Sequence, residues 1–454
     1  MFENILHQPV VNQIKDDISG GILAPAILFS GPEYSGKGTA ALELARVLCC
    51  EKTEGSWNCS CSSCLHHRNL VSPDMLVLGK RHFFEETAAS SGAFLRNPEN
   101  AGGRMLFVRS IRKLLLRFNP VLWEDDPKLG KIRSFISALE EELEEFEELS
   151  ALDKQTPGSG VSAALAKSGE AVIKKAAKLE VEGLGELIPI AQIRRAAYWT
   201  RLAPLGNRKC LIIENAENMQ EGAKNSLLKI LEEPPPRVTI ILTSSRPASL
   251  LPTMLSRLRD YRFAKRNPKE EAEVISRIFR EPPDAVNTIE GYLVSFLPLG
   301  SETLYPLGAY FAASAAAEAA RDLKKAGREI PGLLLDFGKF AAAEGGVMGR
   351  PGDFKSALAK VLKDTGGFEI SSLFPRFLKQ LGALVSVWLR NETNSGPGKI
   401  SWADMWRREL SRTALETGGF NIAVPLALER LFAALKTGMS RDCVSPLYTP
   451  GISP

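Results

Sequence analysis

Four groups of residues carry types and spacings that could do chemistry. Residues 31–39 read GPEYSGKGT, close to the pattern G-x-x-x-x-G-K-[ST], in which backbone N–H groups wrap phosphates, a lysine reaches the outer phosphates and a hydroxyl meets Mg²⁺. Gly31, Gly36 and Lys37 fit, and Ser35 lies inside the loop. Gly38 stands where the hydroxyl belongs, and Thr39 follows one position late. Residues 211–218, LIIENAEN, put Glu214 and Asn215 after an apolar run. In phosphoryl-transfer sites an acidic pair there holds Mg²⁺ and polarises the attacking water. Asn215 accepts no proton, so this pattern keeps nucleotide binding more readily than hydrolysis, and Glu217 is poorly placed to substitute.

The third group is metal-ligating. Five of the seven cysteines, Cys49, Cys50, Cys59, Cys61 and Cys64, crowd together, while Cys210 and Cys443 stand apart. Cys50, Cys59, Cys61 and Cys64 supply the four thiolates of a closed tetrahedral Zn²⁺ site, which leaves no open position for catalytic water. His66 and His67 are alternative ligands. The fourth group is SRLRD (256–260), where spacing alone makes Arg257 a surface ion-pair partner.

The elements that must position these groups are partly visible. AILFS (26–30) is a continuous apolar run of the kind a buried parallel strand shows, and TAALELARVLCC (39–50) has helical period. Strand, glycine loop and helix form the context a phosphate loop needs. Two features oppose function: Glu33 adds a carboxylate where anions would bind, and Tyr34 is bulky where backbone must approach closely. KCLIIE and VTIILTSS (238–245) predict two further strands. EGAKNSLLKILEE (221–233) predicts an amphipathic helix with Leu227, Leu228 and Leu231 on one face, stopped by Pro234-Pro235-Pro236. Strands alternating with helices indicate an α/β sheet covered on both faces.

The chain has 454 residues with 44% hydrophobic and 24% charged content, enough for several globular domains. Its net charge of +4 permits a local basic patch without arguing for nucleic acid. No run of 18 or more uncharged apolar residues appears and MFENILHQPV lacks the form of a signal peptide, so a cytoplasmic protein without a membrane partner is expected. Between about 80 and 185 the sequence turns helical, with seven glutamates between 140 and 148 that read as a solvated helix face. TPGSGVSAA (156–164) reads as a flexible connector. After about 265 the composition favours helices only, and the tail SPLYTPGISP reads as disordered.

GKGT is similar to the phosphate loop of adenylate kinases, but that likeness ends there. Residues 192–263 resemble the clamp-loader branch of the AAA+ ATPases. NSLLKILEEPP (225–235) fits the family's N-x-L-L-K-x-L-E-E-P-P throughout, and LLPTMLSR (250–257) fits its Ser-Arg element. FENILHQPVV resembles the family's N-terminal opening, and ALELARVLCC with the following cysteines resembles its zinc module. Degraded Gly38 and Asn215 beside a retained Ser256-Arg257 resemble the delta-prime subunits more than the gamma/tau motor subunits.

The resemblance implies an AAA+ P-loop parallel sheet with zinc module (about 49–67) and helical insertion (about 80–185) over residues 1–265. It further implies an all-helical lid (266–330) and collar (331–445), with a tail from 446 to 454. It implies assembly with gamma/tau motor subunits and the delta subunit, acting on a sliding clamp and primed DNA within DNA polymerase III. Arg257 would be an arginine finger in a neighbour's ATP site. The nucleotide set is then Gly31, Ser35, Gly36, Lys37, Gly38, Thr39 and Glu214, with ATP and Mg²⁺ left open as ligands. An active gamma/tau-like ATPase and a zinc-containing scaffold outside the clamp loader stay as alternative readings.

Overall fold

The computed structural model describes residues 1–52, 55–155, 161–185, 187–281, 288–296, 301–353, 355–357, 359, 370–390, 397–420 and 422–440. Most of the expected connector (156–160) and the whole tail lie outside these residues. Two compact units divide the chain, 1–296 and 297–454.

The first unit is an α/β domain around a five-stranded parallel sheet in the order β2-β3-β4-β1-β5. Its strands are β1 (Ala26–Ser30), β2 (Met75–Gly79), β3 (Lys209–Glu214), β4 (Val238–Ser244) and β5 (Arg259–Arg262). The three strands expected from apolar runs are present, and β2 and β5 are added at the edges. RDYR gives little strand signal because only Tyr261 of β5 is buried. Strand alternation sorts the core into two layers. Ile27, Phe29, Val77, Ile212 and Ile241 pack with helices α1 (Val10–Ser19) and α2 (Lys37–Leu48). Leu28, Leu76, Leu78, Leu211, Ile213, Ile240 and Leu242 pack on the opposite face.

That opposite face is covered by the helical block. After α3 (Ser62–Arg68) and β2 come α4 (Phe84–Arg96), α5 (Ala101–Leu115), a short α6 (Pro120–Trp123), α7 (Leu129–Gln155) and α8 (Val161–Gly183). Phe94, Phe107 and Phe146 join the sheet core, their ring centres 5.1 to 5.9 Å apart. The block is thus packed into the domain. Its acidic run on α7 keeps Leu139, Leu143 and Phe146 inward while Glu142 and Glu147 pair with Lys175 and Arg112. Helices α9 (Ile190–Arg201) and α10 (Glu221–Glu232) complete this layer. On α10 Leu227, Ile230 and Leu231 are buried and Leu228 is partly buried, as helical spacing requires. The unit closes with α11 (Pro252–Leu255), α12 (Pro268–Phe279) and α13 (Ile289–Ser295).

The second unit is all-helical among its described residues: α14 (Ser301–Lys325), α15 (Gly332–Glu344), α16 (Ile370–Arg390), α17 (Pro397–Phe420) and α18 (Val424–Ser440). Buried alanines 309, 312, 313, 315, 316 and 319 let α15, α16 and α18 close around α14. No helix among the described residues is long and apolar enough to cross a membrane.

Parallel strands place the ends of β1, β2, β3 and β4 on one edge, where open α/β sheets bind ligands. In register, Ser30 lies beside Ser244, and Gly79 beside Glu214. Gly79 is needed there: its φ is +133°, and an added Cβ would come within 2.2 Å of the Glu214 carbonyl.

Candidate functional site

β1 delivers the loop 31–36 to this edge, and Gly36 is the N-cap residue of α2. Ser35 is buried and donates its hydroxyl to the Pro32 carbonyl at 2.8 Å. Lys37 is buried and turned into the loop itself. Its Nζ donates to the carbonyls of Gly31 (2.7 Å) and Pro32 (2.5 Å) and to Ser35 Oγ (3.3 Å). Burial, opposed by the nearby charges of Glu217 and Glu33, pulls the Lys37 ammonium down to about 8. Thr39 is exposed, as are Glu33 and Tyr34.

Gly38 has a structural reason. An added Cβ would come within 2.6 Å of Glu214 Oε1 and 3.6 Å of Arg81 Nη1. The space a side chain would take is filled by the Glu214 carboxylate. That carboxylate pairs with Arg117 Nη2 at 2.5 Å and lies 3.9 Å from Arg81. Burial pushes Glu214 up, yet Arg117, Arg81 and Lys113 together hold it below the ordinary carboxylate range. Asn215 adopts φ +51° and donates its side-chain amide to the Lys80 carbonyl at 2.8 Å. Glu217 accepts from Ser245 N (3.0 Å) and Ser245 Oγ (2.7 Å). The residues present therefore do not fit a Mg²⁺-nucleotide in this arrangement, since position 38 offers no hydroxyl and Glu214 is already engaged.

Sequence reasoning missed Arg81, Arg117 and Arg266. Arg266 donates to the carbonyls of Leu6 and Tyr34, both at 2.9 Å, and fastens the loop to the N-terminal segment. The one available signal for Arg117 was a cation inside the apolar run KLLLRFNPVLW.

The four expected metal ligands do come together: the sulfurs of Cys50, Cys59, Cys61 and Cys64 lie within 4.8 Å of one another. Cys50, Cys61 and Cys64 are buried and Cys59 is partly so. The Cys50–Cys59 sulfur separation is 3.7 Å, matching the edge of about 3.8 Å in a tetrahedron with metal–sulfur bonds of about 2.3 Å. Cys61 caps α3, its sulfur accepting from Cys64 N at 3.4 Å. Arg46 donates to Cys64 Sγ at 3.1 Å, pairs with Glu43 and holds the carbonyls of Gly55 and Ser56. These residues can hold a metal ion. His67 is buried, and neither ring nitrogen has a hydrogen-bond partner among the described residues.

Arg257 lies apart from the loop, beyond α11. Its Nη1 donates to the Thr253 carbonyl at 2.6 Å, and its Nη2 pairs with Glu232 at 2.7 Å, both side chains partly exposed. Such surface pairs are worth about 0 to 1 kcal/mol.

A parallel sheet with a glycine loop at its carboxyl edge and a four-cysteine module defines a phosphate-loop α/β domain. Residues 6–121 and 163–267 match the family described as DNA polymerase III, delta subunit. The chain is 41% identical over 80 residues to DNA polymerase III subunit delta' of Pseudomonas aeruginosa, covering 17% of this chain and 24% of that protein. It is 40% identical over 63 residues to subunit delta' of Bacillus subtilis, covering 14% and 19%. It is 29% identical over 102 residues to subunit gamma/tau of Mycobacterium tuberculosis, covering 22% and 17%. The alignments span about a quarter or less of these relatives. Over the matched residues, just under half of the chain, it is similar to the DNA polymerase III clamp-loader family.

Two outcomes follow from this geometry. The purified protein carries one Zn²⁺ per chain by metal analysis; Cys64→Ser loses it, and chelation lowers the thermal midpoint, whereas metal-free protein of unchanged midpoint would refute the site. The Lys37 value near 8 lies below the ordinary 10.5. The unfolded chain therefore holds the extra proton between those values, and this group makes stability rise with pH across that window. Lys37→Met abolishes that rise and is more stable near neutral pH by roughly 1 kcal/mol, once its lost hydrogen bonds are set against the removed burial cost; urea titrations at several pH values check both.

Proposed function

We propose that this chain is the delta-prime-type subunit of a clamp loader, supplying an arginine finger to a neighbour and hydrolysing no ATP itself. One observation carries the reading: Asn215 stands where the base would be, with its amide bonded to the Lys80 carbonyl. Arg257 has the complementary character. It is a cation near the surface, held by a carbonyl and a weak ion pair, and can swing to a phosphate on an adjoining subunit at little cost. A guanidinium placed there stabilises charge developing on the transferred phosphoryl group.

In this reading the chain, a component of DNA polymerase III, assembles with gamma/tau motor subunits and the delta subunit. The complex opens a sliding clamp and sets it on primed DNA, with contacts to phosphates and shape rather than base edges. The lid (266–330) and collar (331–445) belong to the same proposal. The four-cysteine module holds Zn²⁺ as a structural ion, because four thiolates complete its coordination.

The test is Arg257→Ala in the reconstituted complex. Turnover at the one site it serves falls by about 10³ or more, lowering total DNA-stimulated ATPase by that site's share while assembly on gel filtration is unchanged. An assembled complex with undiminished ATPase would remove Arg257 from the role.

A further inference from the structure

The carboxyl edge of the sheet holds, beside the candidate nucleotide residues, a cationic arm that the phosphate-loop pattern does not contain. The arm comes from the segment around β2, α4 and α5. Arg81 and Arg117 both lean on Phe83, with guanidinium carbons 5.4 and 5.2 Å from its ring centre, and Phe83 is fully buried. The N–H groups of Phe83 and Phe84 each donate at 3.0 Å to Glu180 on α8. The far helix of the block thereby fixes the platform. From it Arg117 reaches Glu214, with side chains only 3% and 5% exposed. Arg117 Nε and Nη1 have no acceptor among the described residues, so among those residues Glu214 is its hydrogen-bonding acceptor and its principal counter-charge.

A metal bound at this edge would take its carboxylate ligand from Glu214, and a hydroxyl at position 38 would add to that hold. Gly38 has none, and the carboxylate fills its space. A divalent cation would also enter beside the buried Arg117 guanidinium, where like charges repel strongly, with Arg81, itself paired to Glu86, close by.

We propose that Arg117, supported by Arg81, is a permanent internal counter-cation of Glu214, standing where a phosphate loop holds its divalent metal. Any polyphosphate held at this loop is then held without metal, and Mg²⁺ adds nothing. The helical block between β2 and α9 gains a role: it carries the cation. The proposal rests on residues 31–39 being a nucleotide loop, and it concerns a different property from the arginine finger.

ADP binding to the full chain, measured by calorimetry in EDTA and in excess Mg²⁺, tests it. The unsubstituted protein is indifferent to Mg²⁺, its affinity changing by less than about twofold, or shows no binding in either buffer. Arg117→Met frees Glu214, and Mg²⁺ then tightens ADP binding by at least about tenfold. Arg117→Lys keeps a cation there and stays indifferent, which serves if the methionine variant does not fold. The proposal is overturned if Mg²⁺ tightens binding about tenfold in the unsubstituted protein or in Arg117→Lys, or if folded Arg117→Met is indifferent or binds no ADP. ATP turnover by the isolated chain would instead overturn the non-hydrolysing reading of the subunit, and an unchanged ATPase in the Arg257→Ala complex would leave this inference standing.

Discussion

The buried pair between Arg117 and Glu214 organises the functional edge of the first unit. Two opposite charges out of water attract strongly, but each has also lost its hydration, so the pair's net contribution is small while loss of one partner costs about 3 to 5 kcal/mol. Around it the neighbouring choices become consistent. Gly38 leaves room for the carboxylate, Gly79 lets the chain after β2 pass close to Glu214, and Phe83 is the flat surface on which both guanidinium groups rest.

This constraint divides the labour of the domain. The loop lysine is satisfied by loop carbonyls, Asn215 by the Lys80 carbonyl and Glu214 by Arg117. These three side chains are therefore engaged within the chain. Arg257 sits apart from the loop, bonded to the Thr253 carbonyl and paired with Glu232. The cysteine module adds rigidity near the C-terminal end of α2, where Arg46 ties it to the helix.

Much of this was legible in the sequence, for local reasons. The glycine loop, the apolar strands β1, β3 and β4, the α10 stripe and the cysteine set are written in spacings of a few residues. Edge strand β5 was not legible, because only one of its four side chains is buried. The expected block over 80–185 is helical, yet its share in the sheet core through Phe94, Phe107 and Phe146 depends on packing across distant segments. The family match, moreover, is interrupted only between 121 and 163. Arg117 was invisible for the same reason: its partner is 97 positions away, and no spacing rule connects them. Gly38 looked like a lost hydroxyl; beside Glu214 it is a space left for a carboxylate.

The most direct measurement is a double-mutant cycle on this pair, using Arg117→Met, Glu214→Gln and both together, with unfolding free energies from urea titration. A guanidinium that is the carboxylate's true counter-ion gives a coupling of about 2 to 4 kcal/mol, with the double variant more stable than the sum of the single losses implies. Additivity within about 0.5 kcal/mol would mean that the two side chains do not depend on each other, and the account of the edge as internally neutralised would fail.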